Sequence, residues 1–249
     1  MSPRCLVVEA GLLHYQSGLA LQDQSRRLVE QGLWDGVLIL LEHYPVITVG
    51  TGGNDTNILQ ERQVLDAAGV ELMHCSRGGD VTCHNPGQLV VYPVMNLAVW
   101  QKDVHWYVEQ LEEIIIQVLG RYQLRGGRKA RYTGVWLNQQ KVAAIGIAVK
   151  RWISSHGFAL NINNDLTLFN WIIPCGIKDF GVTNLVESGI QPTISEVLPM
   201  IVAEFSAIFG CSVFKSDFLM AGDACAGTGL IASRMADSPI AWRLDDRKC

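Results

Sequence analysis

Apolar positions recur along this chain with two different periods, and the change from one to the other marks its elements. Leu6, Val7 and Val8 form a short run that reads as a strand. Over residues 15–31, Leu19, Leu21, Leu28 and Val29 fall at roughly helical spacing, with Gly32 as a stop. The β-branched runs 37–41 and 46–49 flank His43-Tyr44-Pro45, which predicts strand, break, strand. Further strands are predicted at 70–73, 81–83 and 89–94. The clearest helix follows Asp103: Val104, Tyr107, Val108, Leu111, Ile114, Ile115, Val118 and Leu119 share one face, and Asp103 is placed to cap it. Segments 134–137 and 141–149, joined through Asn138-Gln139-Gln140, predict a hairpin, and 158–162 one more strand. Thr193 and Glu196 form a capping-box pattern ahead of Val197, Leu198, Ile201, Val202, Phe205 and Ile208. Hairpins mixed with separated helices predict an α+β fold, a mixed β-sheet with flanking helices, over a regular βαβ repeat. Residues 1–216 are expected to form one domain. Residues 217–249 lose all periodicity and are expected to be a divergent, poorly ordered tail.

Composition narrows the class. Of 249 residues, 49% are hydrophobic and 18% charged, which suits a sizeable core and argues against disorder. The longest apolar runs are too short to cross a bilayer, and the first residues carry no pattern of a secretory signal. Seven irregularly spaced cysteines make a poor disulfide framework and fit a reducing compartment. A net charge of −4 gives no general attraction to nucleic acid. The local exception is Arg121, Arg125, Arg128, Lys129 and Arg131 around Gly126-Gly127, with Lys150 and Arg151 further on. This run reads as a solvated basic loop, or alternatively as a docking patch for an acidic partner.

The densest chemistry lies in residues 77–88, where Arg77, Gly78, Gly79, Asp80, Val81, Thr82, Cys83 and His84 precede Asn85-Pro86-Gly87-Gln88. Glycines there let a ligand lie against bare backbone, and Arg77 and His84 supply donors at either end. Cys175 sits between Pro174 and Gly176 after an apolar run, so its sulfur is presented at a strand end, a suitable place for a nucleophile. Lys141 opens an otherwise apolar strand, where desolvation would favour the neutral amine, and is a candidate activator. His84 and His156, each beside a glycine-bearing turn, are rival bases. Two other sites are discounted. Gly50-Thr51-Gly52-Gly53 lacks the third glycine of a dinucleotide fingerprint, since position 55 is Asp55. In His74-Cys75 and Cys83-His84, neighbours on a strand point to opposite faces, so each pair offers a metal only one ligand.

Taken together and in order, these segments resemble the lipoyl(octanoyl) transferase family: Arg77-Gly78-Gly79 through Gln88, then Gly134-Val135-Trp136 with Lys141 and Gly146, then His156-Gly157 to Asn161, then Pro174-Cys175-Gly176. The resemblance spans roughly residues 5–215. It implies a fold similar to the catalytic domain of biotin and lipoate protein ligases, and a Cys175/Lys141 dyad. It also implies acyl-binding residues running from Arg77 to His84, with Ala144, Ile145, Gly146, Gly157, Phe158 and Ala159. Two positions depart from the family pattern. Asn85 stands where glycine is usual, and asparagine is the next most tolerant of left-handed backbone. Cys83 replaces an aromatic and leaves a smaller side chain near the pocket.

The implied reaction moves an octanoyl or lipoyl group from acyl carrier protein, through a thioester on Cys175, to a lysine. The acceptors are lipoyl domains of 2-oxoacid dehydrogenase complexes and the glycine cleavage H protein. Neither metal nor ATP is implied, nor is a nucleic-acid or membrane partner. A monomer in bacterial cytoplasm, mitochondrial matrix or plastid stroma is expected. Amide groups of Gly78-Gly79 or Cys175-Gly176 are candidate oxyanion donors, and Val81, Ile145 and Phe158 candidate walls of an octanoyl slot. Rival readings are an ATP-dependent ligase on the same scaffold, an amidotransferase working between lipoyl domains, and a non-catalytic acyl-binding protein.

Overall fold

The computed structural model describes residues 2–176 and 180–216, and the expected tail 217–249 lies outside them. In chain order the elements are β1 (Arg4–Leu13), α1 (Tyr15–Glu30), β2 (Gly36–His43), β3 (Val46–Val49), α2 (Arg62–Ala67), β4 (Glu71–His74), β5 (Val81–His84) and β6 (Gln88–Met95). There follow α3 (Val104–Arg121), β7 (Gly126–Lys129), β8 (Tyr132–Leu137), β9 (Gln140–Lys150), β10 (Ile153–Asn161), α4 (Ile194–Phe209) and β11 (Ser212–Lys215). Eight strands form one mixed sheet in the order β11-β1-β2-β6-β10-β9-β8-β7. A small sheet, β4-β3-β5, stands beside it. This is the α+β arrangement that the hydrophobic pattern predicts.

The central strands read as unbroken apolar runs because both of their faces are covered. On β2, Leu38 and Leu40 pack into a core with α3 and α4, while Val37, Ile39 and Leu41 pack on the other face with Leu21 and Val29 of α1. The α3 stripe is held by Tyr107, Leu111, Ile114, Ile115 and Val118, each at most 1% exposed. Burying such side chains stabilises by about 1.5–3 kcal/mol apiece, so truncating Leu111 to alanine should cost about 2–5 kcal/mol. Asp103 caps this helix, accepting from the His105 and Trp106 amides at 2.8 and 3.1 Å. The capping box of Thr193 and Glu196 starts α4, and Gly210 in a left-handed conformation ends it.

Three elements depart from the sequence reading. Strand β7 lies within the basic run that reads as a loop. Arg121 pairs with Glu204, and Arg128 with Glu112 and Glu113, so these two arginines serve the fold. Strand β11 has too few apolar residues to be visible alone; parallel pairing with β1 creates it. The apolar run before Cys175 is no strand: residues 167–171 form a 3₁₀ turn, and Ile172 makes one isolated bridge, to Ile58.

Candidate active site

The β8–β9 hairpin places the lysine. Its pairing slips by one residue, so that Val135 faces Ala143 while Trp136 faces Lys141. Such a bulge bends the strand and re-aims the side chains beside it. Lys141 is buried, 7% exposed. Its Nζ donates to Thr133 O at 3.1 Å and to Cys175 Sγ at 3.4 Å, and lies 5.1 Å from the centre of the Trp136 ring. Its backbone is tied to the segment after the cysteine turn, with Lys141 N–H donating to Gly181 O and Thr183 N–H to Lys141 O. Gly134 has φ 127°, and a Cβ there would stand 2.5 Å from Ala143 O and 3.4 Å from Lys141 Cε. Only glycine lets the lysine stem lie against β8.

The nucleophile candidate sits on a short turn, Pro174–Gly176, with Cys175 at φ 56° and ψ 22°. Segment 57–59 braces that turn: Ile173 N–H donates to Asn57 O at 2.7 Å, and Leu59 N–H to Trp171 O at 2.8 Å. Asp80 ties the glycine-rich loop into the same brace, accepting from Asn57 Nδ2 at 2.5 Å and from the Asn54 amide at 3.2 Å. It also lies against Gly176, where a Cβ would meet Asp80 Oδ2 at 2.8 Å.

The loop docks on the main sheet through Gly78, whose N–H donates to Ile147 O at 2.8 Å. Gly146 permits this approach, since a Cβ there would stand 2.9 Å from Gly78 O. Arg77 is a buried strut more than the donor expected. Its Nη2 bonds Thr48 O and Oγ1 at 2.7 and 2.8 Å, Nη1 bonds Gly78 O, and Nε has no partner. Asn85 is buried and not left-handed; its amide donates to Asp165 O and accepts from Asn164 Nδ2, so it serves a polar network. The left-handed positions of the loop are Gly79 and Gly87. Of the expected oxyanion donors, Gly78 is engaged with Ile147 and Gly176 with Ile173. The Gly79 and Cys175 amides are what that expectation retains.

Two cavities meet at Cys175, sharing Thr82, Ala144, Ala159 and the cysteine itself. The first adds Lys141, Trp136, Phe180, Gln88 and Asn161. The second runs past Val90, Ile145, Phe158 and Gly157 to Tyr15, Arg77, His84, Tyr92 and His156. Val81 and Cys83 line neither; they are fully buried in the core of the small sheet, where burial pushes the Cys83 thiol up. Gly157 fits only as glycine, because a Cβ would lie 2.2 Å from Val91 O. Gln88 and Asn161, bonded to each other at 2.8 Å, fall within the quoted motifs yet were not expected as wall residues. Tyr15 and Tyr92 carry no sequence signal at all, since they reach the site only through the packing of α1 on β6.

Both rival histidines are buried and held neutral. Burial, the largest cause, with repulsion from neighbouring His43 and Arg77, brings His84 down to about 3, and its Nδ1 bonds Gln88 Oε1 at 2.7 Å. Burial and then the Arg77 charge bring His156 to about 4; its Nε2 meets Ser76 Oγ at 3.2 Å and Nδ1 has no partner. Among the described residues, no group of three or more His, Cys, Asp or Glu is arranged to hold a metal ion. No described helix is long and apolar enough to cross a membrane.

The chain is similar to known proteins over most of its length. The family model of the lipoyl protein ligase A/B catalytic domain matches residues 14–206. An octanoyltransferase of Thermoanaerobacter sp. (strain X514) is 48% identical over 205 residues, covering 82% of this chain and 90% of that protein. An octanoyltransferase of Nostoc punctiforme is 45% identical over 214 residues, covering 85% and 91%. Among solved structures, lipoate-protein ligase A bound with ATP superposes with a TM-score of 0.69 at 16% identity, covering 89% of this chain and 90% of that one. A bipartite lipoate protein ligase from Thermoplasma acidophilum, from a study of an archaeal lipoylation system with its E2 lipoyl domain, gives 0.65 at 15%, covering 89% and 88%. These last two share the fold. With the family model spanning both the lysine hairpin and the cysteine turn, and curated relatives agreeing along most of their own length, this chain belongs to the lipoyl protein ligase A/B catalytic domain family.

Proposed function

We propose that this chain is an octanoyltransferase that acts through an acyl-enzyme on Cys175, with Lys141 as its proton carrier. The observation that carries the reading is the 3.4 Å approach of Lys141 Nζ to Cys175 Sγ at the junction of two cavities. The Sγ–H bond breaks as its proton passes to Nζ, and the thiolate attacks the thioester carbonyl of octanoyl-acyl carrier protein. The bond from the carbonyl carbon to the carrier sulfur breaks, the carrier thiolate takes its proton from the Lys141 ammonium, which frees the amine again, and octanoyl remains on Cys175. The amine of a lysine on a lipoyl domain then attacks that thioester and yields its proton to Lys141, and Cys175 leaves as thiolate. Thioester exchange is close to neutral and amide formation is downhill, so the donor is already activated and no nucleotide enters the scheme.

The second cavity suits the chain. Burying about seven CH₂ and CH₃ groups against Val90, Ile145 and Phe158 contributes about 5–6 kcal/mol before ordering costs, enough to select octanoyl over short acyl groups. The first cavity, lined by Trp136, Lys141 and Phe180, is then left for the acceptor lysine. Acceptors are the lipoyl domains of 2-oxoacid dehydrogenases and the glycine cleavage H protein, and a lipoyl group fits the same chemistry. Incubation with octanoyl-acyl carrier protein should add one octanoyl group, mapped to Cys175 and released by neutral hydroxylamine. An adduct on another cysteine, or one that persists in Cys175→Ala, would overturn the assignment.

A further inference from the structure

Glu112 is a buried carboxylate that this reaction does not use. It interrupts the apolar face of α3 and is 6% exposed. Its Oε2 accepts from Arg128 Nε at 2.9 Å, and its Oε1 accepts from the Gly134 N–H at 3.0 Å. That N–H belongs to the same peptide group as the Thr133 carbonyl, and Lys141 Nζ donates to the Thr133 carbonyl at 3.1 Å. Four groups therefore stand in line: the Glu112 carboxylate, the 133–134 peptide, the Lys141 amine and the Cys175 sulfur. A carboxylate that accepts from a peptide N–H polarises the peptide and makes its oxygen a stronger acceptor, because chains of hydrogen bonds reinforce one another in a low-dielectric interior.

We propose that Glu112 is a positioning residue for acyl transfer, acting on Lys141 through the 133–134 peptide group. The proposal rests on the Cys175–Lys141 reading above. When the thiol proton moves to Nζ, the new ammonium keeps its bond to Thr133 O, and Glu112 makes that oxygen richer in electrons. The carboxylate touches neither substrate nor sulfur; its effect is to hold the lysine in place and to favour the thiolate–ammonium pair. Gly134 belongs to the same device, since its N–H reaches the Glu112 carboxylate while its lack of a Cβ leaves room for the lysine stem.

The test is the rate at which iodoacetamide alkylates Cys175, followed by mass mapping of the peptide that contains it. Glu112→Gln keeps an oxygen for Gly134 but removes the charge. Replacing one charge-assisted hydrogen bond by a neutral one is expected to slow alkylation about 5–10-fold. The kcat for octanoyl transfer from a small thioester should fall by a similar factor, with KM unchanged. In Lys141→Ala, itself slowed, adding Glu112→Gln should slow alkylation no further. Should Glu112→Gln fail to fold, Glu112→Asp keeps the charge toward Arg128 but ends one methylene short of Gly134, and the same slowing is expected. Unchanged alkylation in the folded Glu112 variant, or equal slowing with and without Lys141, overturns the role assigned to Glu112. Full alkylation in Lys141→Ala would instead overturn the dyad itself, so the two failures are distinct.

Discussion

The two sides of Cys175 treat their basic groups in opposite ways. On the side of the second cavity, His84 and His156 are enclosed among aromatic rings and the Arg77 charge, and burial keeps both imidazoles neutral. On the other side, Lys141 is equally enclosed, yet its amine meets a carbonyl, a sulfur and an indole face. Enclosure alone makes a histidine a poor proton acceptor. Enclosure with hydrogen-bond partners in place holds a lysine against the sulfur. The sequence leaves lysine and histidine as rivals, because Lys141 opens an apolar strand while His84 and His156 each lie beside a glycine-bearing turn. What separates them is the company that tertiary packing brings.

The largest effect expected from this contrast concerns Lys141. Lys141→Arg keeps the charge but removes a group able to release a proton, so amide formation should fall by about 10²-fold or more while the protein still folds. His84→Gln and His156→Gln should lose less, about tenfold or below, through altered packing of the cavity. An active Lys141→Arg beside a dead histidine variant would invert the contrast.

Next comes acid stability. For His43, His84 and His156 the folded values, about 4, about 3 and about 4, lie below the ordinary value near 6.5. The unfolded chain therefore binds more protons as the pH drops. Stability from these three is complete above about pH 6.5 and is lost as the pH falls, through the window from about 6.5 to 4 for His43 and His156 and down to about 3 for His84, on the order of 1 kcal/mol per pH unit for each histidine. Urea midpoints measured across that window should fall steeply, and His84→Gln should flatten the slope. A flat profile would mean that these rings are not held neutral.

A smaller effect separates the exposed arginines from the bonded ones. Reversing Arg125 and Arg131, both exposed, should raise KM for the carrier-protein donor a few-fold and leave a small octanoyl thioester unaffected; added salt should mimic the change. Reversing Arg128 should instead cost stability, because Glu112 and Glu113 would lose their partner. Equal losses with both donors in the Arg125 and Arg131 variant would remove these residues from docking.

Much of the scaffold is legible in the sequence because its signals are local. The α3 stripe, the Asp103 cap, the capping box of α4 and the β8–β9 hairpin depend on neighbours within a few positions. Strand β11 and the buried Arg77 are not legible in this way. The first exists only against β1, and the second acquires its role from Thr48, which a different strand supplies. The same holds for the site. Cys175 and Lys141 stand out by their immediate surroundings. Glu112 reads as one more acidic residue on a helix, since only the fold reveals that its carboxylate reaches a peptide on β8.

The left-handed backbone at Cys175 has a consequence beyond chemistry. A side chain other than glycine held at φ 56° costs roughly 1–2 kcal/mol, against about 0.5–1 kcal/mol for the extra freedom that glycine loses on folding. Cys175→Gly should therefore melt slightly higher than the natural chain, a difference that calorimetry at neutral pH would resolve. A lower melting temperature would mean that the thiol contributes packing that offsets the strain. Selection acting on foldedness alone would thus drift toward erasing the sulfur. Any lineage that ceases to need acyl transfer should lose this position early, while the scaffold around it persists.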